Sequence, residues 1–238
     1  MNVLTHEKAI RRNAKIGQYT SMAALVILAG GMYVSFVYKD QSQMTYISFV
    51  SLIVGFVLSQ VGIYFGNRWG RRPRVDERIA AALKGLTKDY TLYNFLTPVN
   101  HLLVGPAGVW IIEAYYQRGT IVYEGNKWKQ KGGGVLLGYL KIFAQEGLGR
   151  PELDVKTDTD SLAEALKKAL GEGQEIPPIH TVLIFTDARA EIKADDAPIP
   201  TIKIEQLKEL IRKTAKQNPF PTTEIKRVTA VLPDESVE

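Results

Sequence analysis

Two uncharged apolar stretches follow one another near the start of the chain, and they constrain its fold more than any other feature. Residues 16–38 read IGQYTSMAALVILAGGMYVSFVY, and residues 41–67 read QSQMTYISFVSLIVGFVLSQVGIYFGN. A helix rises about 1.5 Å per residue, so about 20 apolar residues cross a hydrocarbon layer about 30 Å thick. Helices buried in a soluble bundle usually carry a polar stripe with a period of 3.6 residues. Neither stretch has one, so the sequence predicts two transmembrane helices, at about 16–38 and 44–66.

The positive charge of the chain lies beside these stretches. The 238 residues carry 30 Lys and Arg against 25 Asp and Glu, a net charge of +5. Residues 1–72 hold two acids and eight basic residues: Lys8, Arg11, Arg12, Lys15, Lys39, Arg68, Arg71 and Arg72. Positive residues favour the cytoplasmic side. We therefore expect a multi-pass protein of the cytoplasmic membrane, with both termini in the cytosol and membrane lipids as partners.

The remainder of the chain is close to neutral, with 22 basic and 23 acidic residues. Binding to nucleic acid depends mainly on neutralising phosphates, so we expect any such affinity to be weak. The chain has no cysteine, which excludes disulfides and thiolate chemistry.

Two alternatives concern the apolar stretches. The small residues Ala29, Gly30 and Gly31 would suit a cleaved signal peptide, but a second span follows at once and favours an anchor. Small residues also recur at a spacing of four, which lets helix backbones approach closely. They are Gly31, Ser35, Ser51, Gly55, Ser59, Gly62 and Gly66. We interpret them as packing within the hairpin, with a homo-oligomer contact as the alternative.

The sequence divides into five segments. These are a basic cytoplasmic N-terminus (1–15), the two helices (16–67), a basic linker (68–75), one cytoplasmic domain (76–232) and a disordered tail (233–238). Patterns in the domain predict helices over 76–86, 158–170, 204–216 and 222–232, and strands over 90–95, 101–104, 109–116, 120–123 and 179–185. A tight turn is predicted at 105–108 and a polar loop over 126–138. This order indicates an α/β sandwich around a mixed sheet.

The segment NHLLVGPAGVWIIEAYYQRGTIVY, residues 100–123, resembles the nuclease-related domain, NERD, of the restriction-endonuclease-like PD-(D/E)XK superfamily. That family shows an Asp-His strand, a Gly-Pro-x-Gly turn, a Glu-x-Lys strand and then a glycine. The matching positions are Asn100 with His101, residues 105–108, Glu113 with Tyr115, and Gly119; upstream, Glu77 matches a helix acid. The resemblance implies a restriction-endonuclease-like fold and phosphodiester hydrolysis assisted by Mg²⁺ or Mn²⁺.

Two of the three signature positions differ chemically from the family pattern. Asn100 replaces the Asp, and an amide brings no negative charge to a metal ion. Tyr115 replaces the Lys, and a phenol with an ordinary pKa near 10 carries no positive charge at neutral pH. Residues two apart on a strand share a face, so Glu113, Tyr115 and Gln117 should point into one pocket. We therefore expect a degenerate site that needs no cofactor, with Glu113 as the metal ligand if there is one.

Three functions remain open at this point. The favoured one is a membrane-anchored binding or scaffolding module. The alternative is an active metal-dependent nuclease built from Glu77, Glu113 and Gln117, with a relocated cation supplied by Lys127, Lys129 or Lys131. The third is a purely structural membrane protein.

Overall fold

A computed structural model describes residues 1–38, 42–131, 147–171 and 173–237. The chain separates into two compact units. A helical unit spans Lys8–Arg74, and a sheet-containing unit is formed by Met1–Glu7 together with the described residues 75–131, 147–171 and 173–237. The chain therefore begins in the sheet unit, leaves it for the helical unit and returns.

The helical unit consists of α1 (Glu7–Val37), α2 (Ser42–Phe65) and a π-helical turn over Gly66–Gly70. Both helices are long and apolar enough to cross a membrane, with mean hydropathies of 1.8 and 2.0 in their most apolar windows. Helix α1 starts nine residues before the apolar stretch because the basic residues between 8 and 15 are helical too. The large apolar side chains point outward: Leu25, Val26 and Phe36 are 68%, 72% and 75% exposed.

Small residues bring α1 and α2 together, as interpreted from the sequence. A Cβ atom added at Gly31 would lie 2.6 Å from the Cβ atom of Ser51, and one added at Gly62 would lie 3.0 Å from the backbone nitrogen of Ser21. These distances are shorter than a carbon–carbon or carbon–nitrogen contact allows, so only glycine fits. Gly30 has no heavy atom within 4 Å of the corresponding position. The contact thus uses one face of α1.

The sheet unit is a mixed α/β structure, which confirms the predicted class. Its strands are β1 (Asn2–Thr5), β2 (Thr91–Asn94), β3 (His101–Gly105), β4 (Gly108–Tyr115), β5 (Gly119–Glu124), β6 (Lys127–Lys131), β7 (Ile179–Phe185), β8 (Ala190–Lys193) and β9 (Thr201–Lys203). Six form one sheet in the order β1-β2-β3-β4-β7-β9, and the others form a small sheet in the order β6-β5-β8. In the large sheet, β2, β3 and β4 are antiparallel neighbours, whereas β1–β2, β4–β7 and β7–β9 are parallel.

Helices cover both faces of the large sheet. They are α3 (Val75–Ala82), α4 (Pro151–Leu170), α5 (Leu207–Gln217), which follows a 3-10 turn at Ile204–Gln206, and α6 (Thr222–Thr229). On one face, Ile79 of α3 and Ile211 of α5 pack in a cluster with Trp110 and Ile112 of β4. On the other, Leu162 of α4 packs in a cluster with Ile111 of β4. This alternation along β4 assigns its even residues to the α3–α5 face and its odd residues to the α4 face.

Two differences from the sequence-based expectation have physical reasons. Strand β1 was not predicted, because its pairing with β2 joins residues about ninety positions apart. The predicted loop over 126–138 is wrong at its start, where Lys127–Lys131 forms β6 against β5; residues 132–138 lie outside the described residues. At the C-terminus, the Val237 N–H donates to the Thr5 carbonyl at 3.2 Å, and Ser236 Oγ accepts from the Thr5 N–H at 3.0 Å.

Substituting Gly31→Val should destabilise the helical unit by about 1–3 kcal/mol, because the new side chain meets Ser51. Gly30→Val is a matched control, since it makes the same change in helix propensity at a position with open space. Thermal unfolding of the full chain in detergent micelles measures the difference. Equal melting temperatures for the two variants would contradict the described packing of α1 on α2.

Substituting Leu4→Ala should lower the free energy of unfolding of the sheet unit by about 1–2 kcal/mol. Leu4 packs, partly buried, against the cluster on the α4 face, so truncation loses apolar contact. Val3→Ala on the same strand is the control, because Val3 is 42% exposed. Urea titration of the full chain, followed by far-UV circular dichroism, gives both values. A Val3→Ala effect as large as that of Leu4→Ala would count against β1 as a packed strand.

Candidate functional site at the carboxyl end of β4

The candidate site lies where the parallel strands β4 and β7 end side by side. They pair in register over seven residues, from Val109↔Ile179 to Tyr115↔Phe185. Beyond the last pair, the Thr186 N–H and hydroxyl both donate to the Tyr115 carbonyl, at 2.8 and 3.2 Å. The Arg78 guanidinium of α3 donates to the Thr186 carbonyl. In open α/β sheets, ligands bind outside the carboxyl ends of the strands.

Tyr115 is fixed at this edge by packing and by one hydrogen bond. Its side chain is only 9% exposed, and its ring stacks on Phe185 with centroids 5.5 Å apart and planes inclined by 22°. Its hydroxyl donates to Oδ2 of Asp154, on the first turn of α4, at 3.0 Å. Burial raises the pKa of Tyr115, and the carboxylates of Asp154 and Glu113 raise this pKa further. The group is therefore a neutral phenol that donates a hydrogen bond.

Glu113 shares the α4 face of β4 with Tyr115, as their spacing of two requires. Its side chain is half-buried, and its Oε1 atom is shielded from solvent. Asn100 is half-buried just before β3, and its backbone carbonyl accepts from the Phe95 N–H at 2.8 Å. The β3–β4 register pairs Leu102 with Ile111, so its continuation by two residues brings Asn100 level with Glu113.

Gln117 follows the end of β4 and is 5% exposed. Its Nε2 donates to the Gly147 carbonyl at 2.9 Å. Its Oε1 is buried and has no hydrogen-bond partner among the residues that the structure describes. A buried acceptor left without a donor costs free energy, so this oxygen is a place where a donor would be favoured.

Glu77 comes from the opposite side of the sheet. It is half-buried on α3, next to Arg78, whereas Glu113 and Tyr115 lie on the face toward α4. Its place in the first turn of α3 suits a carboxylate, because the helix dipole is positive there. The five predicted residues thus comprise a group on and beside β4 and one acid from another layer.

The lysines considered as relocated cations belong to β6, in the small sheet, where their side chains are exposed. Lys131 forms an ion pair with the carboxylate of Glu124 at 2.5 Å, and the Nζ atom of Lys129 lies 3.8 Å from it. Both lysine side chains are 52% exposed, and Lys127 is exposed as well. These side chains form a solvated cross-strand cluster on the small sheet.

Sequence reasoning missed Asp154, the partner of Tyr115. The helix had been predicted to begin at residue 158, whereas α4 begins at Pro151. Asp154 and Asp158 are four apart on one helix, so both lie on the same side, and both raise the pKa of Tyr115. The sequence signal for this position was the spacing of four between Asp154 and Asp158, which is typical of one side of a helix.

A second polar group missed at that stage is a buried chain across three strands. His101 Nδ1 lies 2.9 Å from Oδ1 of Asn94, its partner across the β2–β3 pair, and Asn94 Nδ2 donates to the Thr5 hydroxyl at 3.3 Å. Asn94 and His101 are 1% and 4% exposed. Hydrogen bonding satisfies these buried groups, which indicates a structural role in aligning β1, β2 and β3.

One further ion pair, between Arg189 and Asp187, lies just after the carboxyl end of β7. Arg189 makes a bidentate contact with Asp187, with Nε to Oδ1 at 2.9 Å and a terminal nitrogen to Oδ2 at 2.6 Å. These hydrogen bonds lower the pKa of Asp187 to about 2, with a smaller contribution from Arg118. Asp187 is therefore ionised and committed to Arg189.

The residues at the matched positions differ from the carboxylate-rich donor set that the family resemblance implies for a divalent metal. Within the described part of the chain, no group of three or more histidine, aspartate or glutamate side chains is arranged to hold a metal ion. The acid nearest to Tyr115, Asp154, accepts the phenol hydrogen bond. Asn100 contributes an amide in place of a carboxylate.

Comparison with protein families finds one match. The model of NERD, the nuclease-related domain, matches residues 73–186. This segment runs from just before α3 to just after β7. It includes the five predicted site residues, Glu77, Asn100, Glu113, Tyr115 and Gln117. No curated protein and no solved structure matches the chain. The candidate site therefore lies inside the segment that matches the nuclease-related domain.

Proposed function

We propose that the chain is a membrane-anchored, nuclease-related protein whose site no longer cleaves phosphodiesters and which acts as a binding module at the cytoplasmic face. The nuclease-related domain at residues 73–186 suggests a nuclease-related origin of the function. The observation that carries the proposal is the hydrogen bond from Tyr115 to Asp154, at the position where the family pattern has a lysine.

Chemistry at this position explains the choice. Hydrolysis of a phosphodiester develops negative charge in the transition state, and a nearby ammonium or metal ion stabilises it. The Tyr115 phenol is neutral, and its hydroxyl donates its one hydrogen bond to the carboxylate of Asp154. The site thus offers acidic groups without the cation that would balance a phosphate.

The alternative of an active nuclease needs a cation from elsewhere. Two of the three candidate lysines, Lys129 and Lys131, are engaged by Glu124 on the small sheet. Gln117, with its buried Oε1, supports binding more than hydrolysis, because an amide neither ionises nor transfers a proton at neutral pH.

Membrane anchoring is supported by the direction of the apolar side chains in α1 and α2. Soluble proteins rarely expose a continuous surface of leucine, valine and phenylalanine, whereas helices in lipid present such a surface. Strand β1 also supports the proposed topology. If α1 and α2 cross the membrane, the chain leaves the sheet unit after Glu7 and returns to it at Val75, so Met1 and the sheet unit lie on one side. The basic flanks favour the cytosol for that side.

A nuclease assay tests the loss of activity. We expect the purified full chain, with Mg²⁺ or Mn²⁺, to cleave plasmid and single-stranded DNA no faster than a Glu113→Ala variant. The double variant Asn100→Asp with Tyr115→Lys restores the family's charges, and we expect it to raise cleavage by about 100-fold over that background. Cleavage by the unmodified chain that Glu113→Ala abolishes would contradict the proposal.

A stability measurement tests the role given to Tyr115. Tyr115→Phe keeps the ring on Phe185 but removes the donor to Asp154, so the free energy of unfolding should fall by about 1–2 kcal/mol. Tyr123→Phe is the control, since Tyr123 contacts Trp128 through its ring. In an Asp154→Ala background, the loss from Tyr115→Phe should shrink toward zero. An undiminished loss would mean that the hydroxyl acts through another partner.

A further inference from the structure

One end of the helical unit carries a band of positive charge. The contacts between α1 and α2 run from Gly31 beside Ser51 to Gly17 beside Gly66, so the hairpin is antiparallel. The residues before Gly17 and those after Gly66 therefore lie at the same end. We call this band the basic collar, and it consists of Lys8, Arg11, Arg12, Lys15, Arg68, Arg71 and Arg72.

The collar is long enough to span the depth of a headgroup layer. Lys8 and Lys15 are seven helical residues apart on α1, which is about 10 Å along the axis. The polar layer on each side of a hydrocarbon core is about 5–8 Å thick. Lys8, Arg11, Arg12 and Lys15 are all exposed. Glu7 is the acid that adjoins them in sequence.

An aromatic cluster marks where the collar meets the apolar surface. Trp69 packs against Phe65 and Tyr64, with ring centroids 5.0 and 5.9 Å apart. The guanidinium carbon of Arg68 lies 5.2 Å from the Trp69 ring centroid. Tryptophan and tyrosine are enriched at the level of the headgroups. A guanidinium over an indole face is attracted by the ring, and this pair suits the boundary between lipid and water. The π-helical turn Gly66–Gly70 places these groups at the end of α2.

From the charge, depth and aromatic boundary of this band, we infer that the basic collar binds the headgroups of anionic phospholipids. The inference rests on the proposed anchoring of α1 and α2 in a membrane. Each lysine or arginine near an anionic surface strengthens attraction, and the effect falls off within a Debye length. In the sequence that joins α1 to α2, the charges of Lys39 and Asp40 cancel. The collar therefore distinguishes the leaflet that carries negative charge.

Spin-labelled lipids test this selectivity. The full chain is reconstituted in phosphatidylcholine vesicles, and electron paramagnetic resonance measures the motionally restricted fraction of spin-labelled phosphatidylglycerol and of spin-labelled phosphatidylcholine. We expect phosphatidylglycerol to be preferred about fivefold at low salt. The preference should decline when NaCl is raised to about 1 M, because the Debye length falls to about 3 Å. Equal restriction of the two lipids would overturn the inference.

Two variants separate charge from structure. Replacing Lys8, Arg11, Arg12 and Lys15 by glutamine leaves three of the seven collar charges and should lower the preference by about half or more. Arg11→Lys with Arg12→Lys should keep it at its full value. A control removes the same charge from the sheet unit by changing Lys156, Lys167, Lys168 and Lys208 to glutamine, and it should leave the preference unchanged. Loss of preference in the control, or its persistence at full value in the first variant, would overturn the inference.

Two further arms identify the source of any failure. Inorganic phosphate at about 10 mM, with ionic strength held constant, should not abolish the preference; abolition would indicate a site for free phosphate instead of a lipid surface. Alkaline extraction of the phosphatidylcholine vesicles tests anchoring alone. Retention with no lipid preference would reject the collar and keep the anchor, whereas release into the aqueous phase would reject both.

Discussion

The parallel pairing of β4 with β7 is the interaction on which the rest of the sheet unit depends. Seven registered pairs join the two strands. Both strands are rich in apolar residues because both faces of the sheet are covered there, by α3 and α5 on one side and α4 on the other. The pairing also ends both strands at one level. Any polar group at that level must therefore find a partner or meet solvent.

Tyr115 satisfies this requirement as a neutral phenol that donates a hydrogen bond to Asp154. Burial raises the pKa of Tyr115, and the carboxylates of Asp154, Glu113 and Asp158 raise this pKa further. The same field would stabilise an ammonium. A neutral phenol instead keeps its proton and donates a hydrogen bond to Asp154. The acids near Tyr115 therefore favour a group that keeps its proton at this position, and Tyr115 meets them with one hydrogen bond to Asp154.

The elements that the sequence predicted correctly are those whose own residues carry a clear pattern. Strands β4 and β7 were evident because their runs of apolar residues are long and bounded by turn residues, and the 105–108 turn was evident from its two glycines. Strand β6 was missed because its sequence, KWKQK, holds one apolar residue, and its stability comes from pairing with β5 and from Glu124. The start of α4 was missed for a similar reason, and with it Asp154.

Strand β1 was beyond prediction from local sequence, yet it changes how the helical hairpin is understood. Four residues, NVLT, have no pattern that separates them from a flexible N-terminus. Their pairing with β2, and the buried Thr5–Asn94–His101 chain, make them part of the sheet. The helical unit is then an insertion between β1 and α3, attached to the same folded unit at both ends. For a hairpin in a membrane, such double attachment fixes the number of crossings as even. A chain that crosses once on α1 must therefore cross back on α2. The glycine contacts between α1 and α2 hold these two helices side by side.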